Sequence, residues 1–198
     1  MKSMNVLIVG VGGQGVLLAS ELLSDAALRA GFDVKKSEVH GMAQRGGSVS
    51  SHVRIAGQVR SPLIPAGQAE ALMAFEQAEA LRWVHFLRAD GTAVVNRKRL
   101  VPPVALFRTG PGYPDDPLSS VRARSGRVVS IDAEAAARRL GNPRVENTVL
   151  LGALSGCLEI PETAWMQAIE ARVPAGTIDI NREAFRAGAG TAVNGEDA

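Results

Sequence analysis

The chain has 198 residues, 46% of them hydrophobic and 4% aromatic, with a formal net charge of +2. That length and apolar content predict a single domain with a substantial core of small and aliphatic side chains. The mild basicity is spread along the chain with no aromatic-rich platform beside it, which argues against a nucleic-acid partner. The lone cysteine, Cys157, excludes an internal disulfide framework, a cysteine-ligated iron–sulfur cluster and a structural zinc site of several thiolates.

Met1-Lys-Ser-Met4 leads straight into an apolar strand with no signal-peptide pattern, and no apolar run reaches membrane-spanning length. A reducing, cytoplasmic location is therefore expected. The strand ends in Gly10-Val-Gly-Gly-Gln-Gly15, with Gly10, Gly12 and Gly15 at G-x-G-x-x-G spacing. Such glycines permit a tight turn, a close backbone approach to a ligand and close packing of the next helix. Val16 to Ala30 has helical periodicity, and Gly31 is a natural stop. The N–H groups and positive end of that helix suit an anion.

Phe32 to Val39 predicts a second strand, and His40-Gly-Met-Ala-Gln-Arg45-Gly-Gly47 a second glycine-rich loop. Ser48 to Ile55 alternates small polar and β-branched residues and predicts a strand. After Pro62 and Pro65, Ala71–Phe75 predicts a buried strand and Glu76–Leu87 a helix. Asp90-Gly91 predicts a turn into a strand over 92–96, and five prolines between Val101 and Pro117 leave room only for short regular structure. Val128–Asp132 predicts a strand, with Asp132 capping a helix to Leu140 that Gly141 closes. Helices follow at Asn147–Leu158, from Pro161 to just before Pro174, and from Asn181 to Ala187. The expected domain spans residues 1–188, with 189–198 as a flexible tail.

Alternating strands and helices predict an α/β fold: a single Rossmann-like domain, mostly parallel, with helices on both faces. Ligands of such sheets sit beyond the carboxyl ends of the strands, so both glycine loops are expected on that rim. The candidate ligand-facing residues are Gly10, Gly12, Gly13, Gln14 and Gly15, with His40, Gly41, Gln44, Arg45, Gly46 and Gly47. His40 and Arg45 are the candidates for chemistry, as a proton-shifting imidazole and an anion-binding guanidinium. Taken alone, these residues are equally compatible with an ordinary Arg45–Glu38 pair and a histidine closing a strand. The first loop by itself also admits a stand-alone NAD(P) or FAD oxidoreductase, with Asp33 or Glu38 on the ribose. His52 reads as satisfied in its strand, His85 as a helix-surface residue and Cys157 as a packed small residue. The groups Arg82–Arg88 and Arg97-Lys-Arg99 read as a solvated basic face or a partner surface, and Tyr113-Pro-Asp-Asp-Pro117 as a docking loop or a surface turn.

The two loops, together with Ser51-His-Val-Arg-Ile55, Phe75-Glu-Gln-Ala-Glu-Ala-Leu-Arg82, Val94-Val-Asn96, Asn147-Thr-Val-Leu-Leu-Gly152 and Asn181-Arg-Glu-Ala-Phe185 with Gly188, resemble one family in order and spacing. It is the gamma-type subunit of the 2-oxoacid:ferredoxin oxidoreductases. The form His40-Gly-Met-Ala-Gln-Arg-Gly-Gly and the Phe75–Arg82 segment favour the indolepyruvate type, with the gamma subunit of a pyruvate, 2-oxoglutarate or 2-oxoisovalerate enzyme as the alternative. The resemblance implies oxidative decarboxylation of a 2-oxoacid with coenzyme A, giving acyl-CoA, carbon dioxide and reduced ferredoxin. In that family thiamine diphosphate and 4Fe-4S clusters do the chemistry. This chain has one cysteine and lacks the Gly-Asp-Gly thiamine signature, Ala89-Asp-Gly91 being the nearest approach. The resemblance therefore implies that both cofactors sit on a larger alpha subunit. This chain is then a partner that walls the active site, is inactive alone, and holds no metal.

Overall fold

The computed structural model describes residues 3–40, 46–101 and 112–193. Its centre is a six-stranded sheet in the order β2-β3-β1-β4-β5-β6. β1 (Met4–Val11) is buried along almost its whole length, because apolar residues on both of its faces meet a covering layer. α1 (Val16–Arg29) follows, then β2 (Asp33–His40) and β3 (Ser48–Ala56). β4 (Ala69–Ala74) pairs parallel to β1. α2 (Gln77–Trp83) leads through a short 3-10 turn to β5 (Leu87–Asn96), and α3 (Pro117–Arg122) precedes β6 (Arg127–Ile131). α4 (Ala133–Arg139), α5 (Glu146–Ser155), α6 (Glu162–Arg172) and α7 (Ile178–Val193) complete the described chain.

The pairings β1–β4, β4–β5 and β5–β6 are parallel, whereas β3 runs antiparallel to both β1 and β2. The architecture is the expected mostly parallel α/β sheet, with one reversed strand that alternation alone did not reveal. Two cores result. Val6, Ile8, Val53, Ile55, Met73 and Val94 pack under α1 and α4–α7 on one face. Leu7, Val9, Leu72, Ala74, Ala93 and Val95 pack under α2 and α3 on the other. Neighbouring residues of one strand thus enter opposite cores, as the period of two requires.

Several expectations need correction. The helix predicted to reach Leu87 ends at Trp83, because Leu87 is already the first residue of β5. Asp90-Gly91 does not turn the chain: it lies inside β5, where the register with β4 shifts between Ala69 and Ala71. α3 is an additional short helix, capped by Asp116, whose carboxylate accepts from Ser119 N at 3.0 Å. α7 begins at Ile178 rather than at Asn181 and continues past Ala187 through Gly188 to Val193. Asn181 is buried inside it, where its side chain donates to Thr177 O at 2.8 Å and accepts from Thr148 Oγ1 at 2.7 Å. Asp132 caps α4 as expected, accepting from Ala135 N at 2.8 Å.

Candidate functional site

β1 passes to α1 over one face of the sheet and β4 passes to α2 over the other, so the connections diverge between these two strands. A crevice at the carboxyl ends of strands where connections diverge is the usual ligand position in an open α/β sheet. Because β3 is reversed, the end of β2 and the start of β3 also reach this rim.

The first glycine loop is fixed from within. Gln14 Oε1 accepts from Val11 N at 2.7 Å, and Gln14 Nε2 donates to Phe75 O at 3.2 Å. Gln14 therefore ties the end of β1 to the end of β4, and its amide is consumed by the fold. Gly10 is packed so closely that a Cβ there would lie 2.9 Å from both Gln14 Oε1 and Phe75 Cβ. Gly15 is the α1 N-cap at φ 89°, a left-handed conformation that favours glycine, and no side chain caps the helix. A Cβ on Gly15 would stand 3.4 Å from Asn147 Nδ2, whereas Gly13 at φ 102° faces open space.

The second loop joins the first through its backbone. Gly12 N donates to Gly47 O at 2.8 Å, and Gly46 N donates to Gly12 O at 3.4 Å. Gly12, Gly13, Gly15, Gly46 and Gly47 thus share one edge, and Ser48 lies opposite Val11 in the sheet register. A groove of about 340 Å³ opens there, lined by Val11, Gly12, Gly13, Gly15, Val16, Leu17, Leu18 and Val49. Leu17 and Leu18 remain 39% and 37% exposed at its mouth. His40 ends β2, its backbone paired with Val49. Gly41, Gln44 and Arg45 lie outside the described residues. Glu38 is bonded to Lys36 Nζ at 2.8 Å.

Residues outside the two glycine loops surround the same rim. Glu76 is only 1% exposed. Its carboxylate caps α2 by accepting from Glu79 N at 2.9 Å, and also accepts from Leu100 N at 3.2 Å and from the Tyr113 hydroxyl. Burial, reinforced by that carboxylate, pushes the Tyr113 phenol far above its ordinary range. Arg99 lies 4.6 Å over the Tyr113 ring, so this segment packs onto the domain. Asn96, also buried, donates to Glu146 Oε1 at 2.6 Å and accepts from Ala133 N at 3.2 Å. Lys98 bridges Glu134 at 3.2 Å and Glu146 at 3.1 Å. Burial opposes its charge, but the two carboxylates outweigh that and raise its pKa. Glu76 carries a local signal, an acceptor directly before a helical run, whereas Asn96 stands out only through the family resemblance, and Lys98 and Tyr113 only as parts of a basic group and a surface segment.

The other candidates have internal partners. His52 Nδ1 accepts from Ile64 N at 3.2 Å, and burial lowers the imidazole pKa. His85 is exposed beside the Arg82 carbonyl, at 3.0 Å. Burial raises the Cys157 thiol, as expected of a packed cysteine. Arg82 pairs with Glu79, Arg88 with Glu70 and Asp90, and Arg97 with Ser130, so these basic groups do not form an unpartnered face. Among the described residues no group of His, Cys, Asp and Glu is arranged to hold a metal ion. Nor is any helix among them long and apolar enough to cross a membrane.

The dinucleotide reading fails on topology. In a doubly wound dinucleotide fold the ribose carboxylate ends the strand beside the glycine loop's strand. Here β3 stands between β1 and β2, which moves Glu38 outward by a further strand spacing of about 4.8 Å, and Lys36 already holds it.

Residues 5–191 match the family model described as pyruvate ferredoxin/flavodoxin oxidoreductase. The chain belongs to that family. It is 41% identical to the indolepyruvate oxidoreductase subunit IorB of Thermococcus kodakarensis over 95% of each chain. It is 38% identical to the IorB subunit of Archaeoglobus fulgidus, over 97% of this chain and 96% of that one. Among solved structures, the gamma subunit of a keto/oxoacid ferredoxin oxidoreductase from Geobacter sulfurreducens superposes with a TM-score of 0.70 at 25% identity, covering 96% of this chain and 99% of that one. These two IorB subunits and that gamma subunit are thus matched along nearly their whole length.

Proposed function

We propose that this chain is the cofactor-free subunit of an indolepyruvate-type 2-oxoacid:ferredoxin oxidoreductase. The reaction is oxidative decarboxylation of an aryl 2-oxoacid with coenzyme A, electrons leaving to ferredoxin. The subunit works in a reducing, cytoplasmic setting beside a larger alpha subunit that supplies thiamine diphosphate and 4Fe-4S clusters. The donor inventory supports that division: a single half-buried cysteine cannot ligate a cluster.

In this reading the fused rim of the two glycine loops faces the reaction centre of the partner and takes the anionic end of coenzyme A. One observation carries it. The Gly12–Gly47 and Gly46–Gly12 backbone bonds unite two ligand-type loops at the point where the strand connections diverge, beside the uncapped positive end of α1. Arg45 supplies the planar cationic fork, and His40 and Gln44 orient the ligand. The apolar groove beside the rim accommodates a chain-like or apolar group.

The test is steady-state kinetics of the complex reconstituted with its alpha subunit. Arg45→Ala should raise the KM for coenzyme A by about tenfold or more, the loss expected for one charge-assisted hydrogen bond. The isolated chain should be inactive with any 2-oxoacid and should bind neither NAD(P)H nor flavin. Unchanged kinetics in Arg45→Ala would remove the loop from the site.

A further inference from the structure

We infer that Glu79, in the first turn of α2, is a positioning residue that sets the Gly46–Ser48 backbone against the first glycine loop. The inference rests on the reading of that rim as the coenzyme A site. Ser48 is the point at which the second loop becomes β3. Its hydroxyl donates to Glu79 Oε2, and the Trp83 indole N–H lies 3.2 Å from Ser48 Oγ and 3.3 Å from Glu79 Oε2. The three groups close a triangle between the loop and the helix.

Glu79 is 6% exposed, so its carboxylate carries a desolvation cost that an apolar residue would not. Its one basic partner among the described residues, Arg82, contacts the other oxygen at 3.0 Å through a side chain that is 62% exposed, a weakly stabilising pair. Stability alone is therefore a poor account of a carboxylate at this place. Directional acceptance accounts for it: one oxygen fixes both the Ser48 hydroxyl and the Trp83 ring, and the Ser48 backbone follows.

The connection from β4 into the same helix holds the first loop. Phe75 O, at the root of α2, accepts from Gln14 Nε2 at 3.2 Å, and Glu76 fixes Glu79 by accepting its N–H at 2.9 Å. Five consecutive residues, Phe75 to Glu79, thus contact both loops, and the backbone bonds of Gly12 to Gly46 and Gly47 join parts that this β4–α2 segment also holds. An anion held by backbone N–H groups is sensitive to sub-ångström errors in their aim, so the Ser48–Glu79 link acts on ligand affinity rather than on turnover of bound ligand.

The experiment compares Ser48→Ala, Ser48→Thr, Glu79→Gln and Arg45→Ala in the complex reconstituted with the alpha subunit. Ser48→Ala should raise the KM for coenzyme A about fivefold to tenfold, with kcat at saturating coenzyme A within about twofold of wild type. Ser48→Thr, which restores the hydroxyl, should return KM to within about twofold. If Ser48→Ala does not assemble, Glu79→Gln, which keeps the side-chain shape, should show the same split between KM and kcat. A raised KM in Arg45→Ala with an unchanged KM in the Ser48 and Glu79 variants overturns the inference and leaves the site reading intact. An unchanged KM in all of them overturns the site reading, and the inference falls with it. A loss of kcat or yield with unchanged KM, not rescued by Ser48→Thr, assigns the link a purely structural role and also overturns the inference.

Discussion

The rim around Gly12 and the crossing of α5 over α7 are both built on glycine, and they use it for different physical ends. At the rim, Gly13 and Gly15 adopt φ values of 102° and 89°, and a Cβ on Gly13 meets nothing within 4 Å. There glycine supplies a backbone shape and leaves the surface open. At the crossing, a Cβ on Gly188 would lie 1.9 Å from Val149 O, and one on Gly152 would lie 1.9 Å from Phe185 O. There both glycines sit in helices, and the missing side chain is what allows the two backbones to touch. The first region accepts small changes at a cost to access. The second accepts none, because rigid backbone stands where the side chain would go.

The comparison breaks most sharply if Gly188→Ala is tolerated. Its methyl must displace an α5 carbonyl, so the expected loss is at least about 3 kcal/mol, a fall in Tm of roughly 6–12 °C by calorimetry. Gln14→Ala comes next, losing the bonds to Val11 N and Phe75 O for about 2 kcal/mol, and under the proposed function it should also raise the KM for coenzyme A, because the first loop is no longer tied to β4. Gly13→Ala should cost only about 1–2 kcal/mol, the penalty of a left-handed alanine, and denaturant titration will read it. A Gly13 loss as large as that of Gly188 would erase the distinction between the two regions.

A smaller effect concerns the sheet face behind the rim. Burial lowers the His52 pKa below its ordinary 6.5, so the folded protein resists a proton that the unfolded chain accepts. This contribution is fully present above pH 6.5 and is lost progressively as pH falls below it. His52→Asn should flatten that part of the stability–pH profile, whereas a profile unchanged between pH 7 and pH 5 counts against the buried neutral imidazole. The smallest effect is expected at Ser50, whose buried hydroxyl has no hydrogen-bond partner among the described residues. Ser50→Ala should shift stability by less than about 1 kcal/mol, in either direction.

Local pattern carried much of the fold. The apolar runs of β1 and β4, the alternation in β3 and the Asp132 cap all come from contacts within a few residues, and each element formed where those contacts predicted it. The last helix is placed too short for the same reason, its pattern ending at Ala187 before Gly188 although α7 runs on to Val193. In the sequence a glycine late in a helical pattern signals a stop, and nothing local distinguishes a stop from a crossing. Asp90-Gly91 likewise carries the signature of a turn, yet its backbone is absorbed into β5, with Gly126 N donating to Gly91 O at 3.0 Å. Of the rim, the glycines and their spacing were legible, but Glu79 was not, since its meaning lies in a serine 31 positions away.

By itself the sequence determined the succession of strands and helices, the glycine-rich segments and the presence of a single thiol, because periodicity, backbone freedom and composition are local or additive properties. Only the tertiary structure decided that β3 runs backwards between β1 and β2, that Gln14 closes the first loop, and that the segment from Phe75 into α2 binds both loops at once. Strand order and direction depend on which distant surfaces exclude water together, and that choice is made by the whole chain rather than by any segment of it.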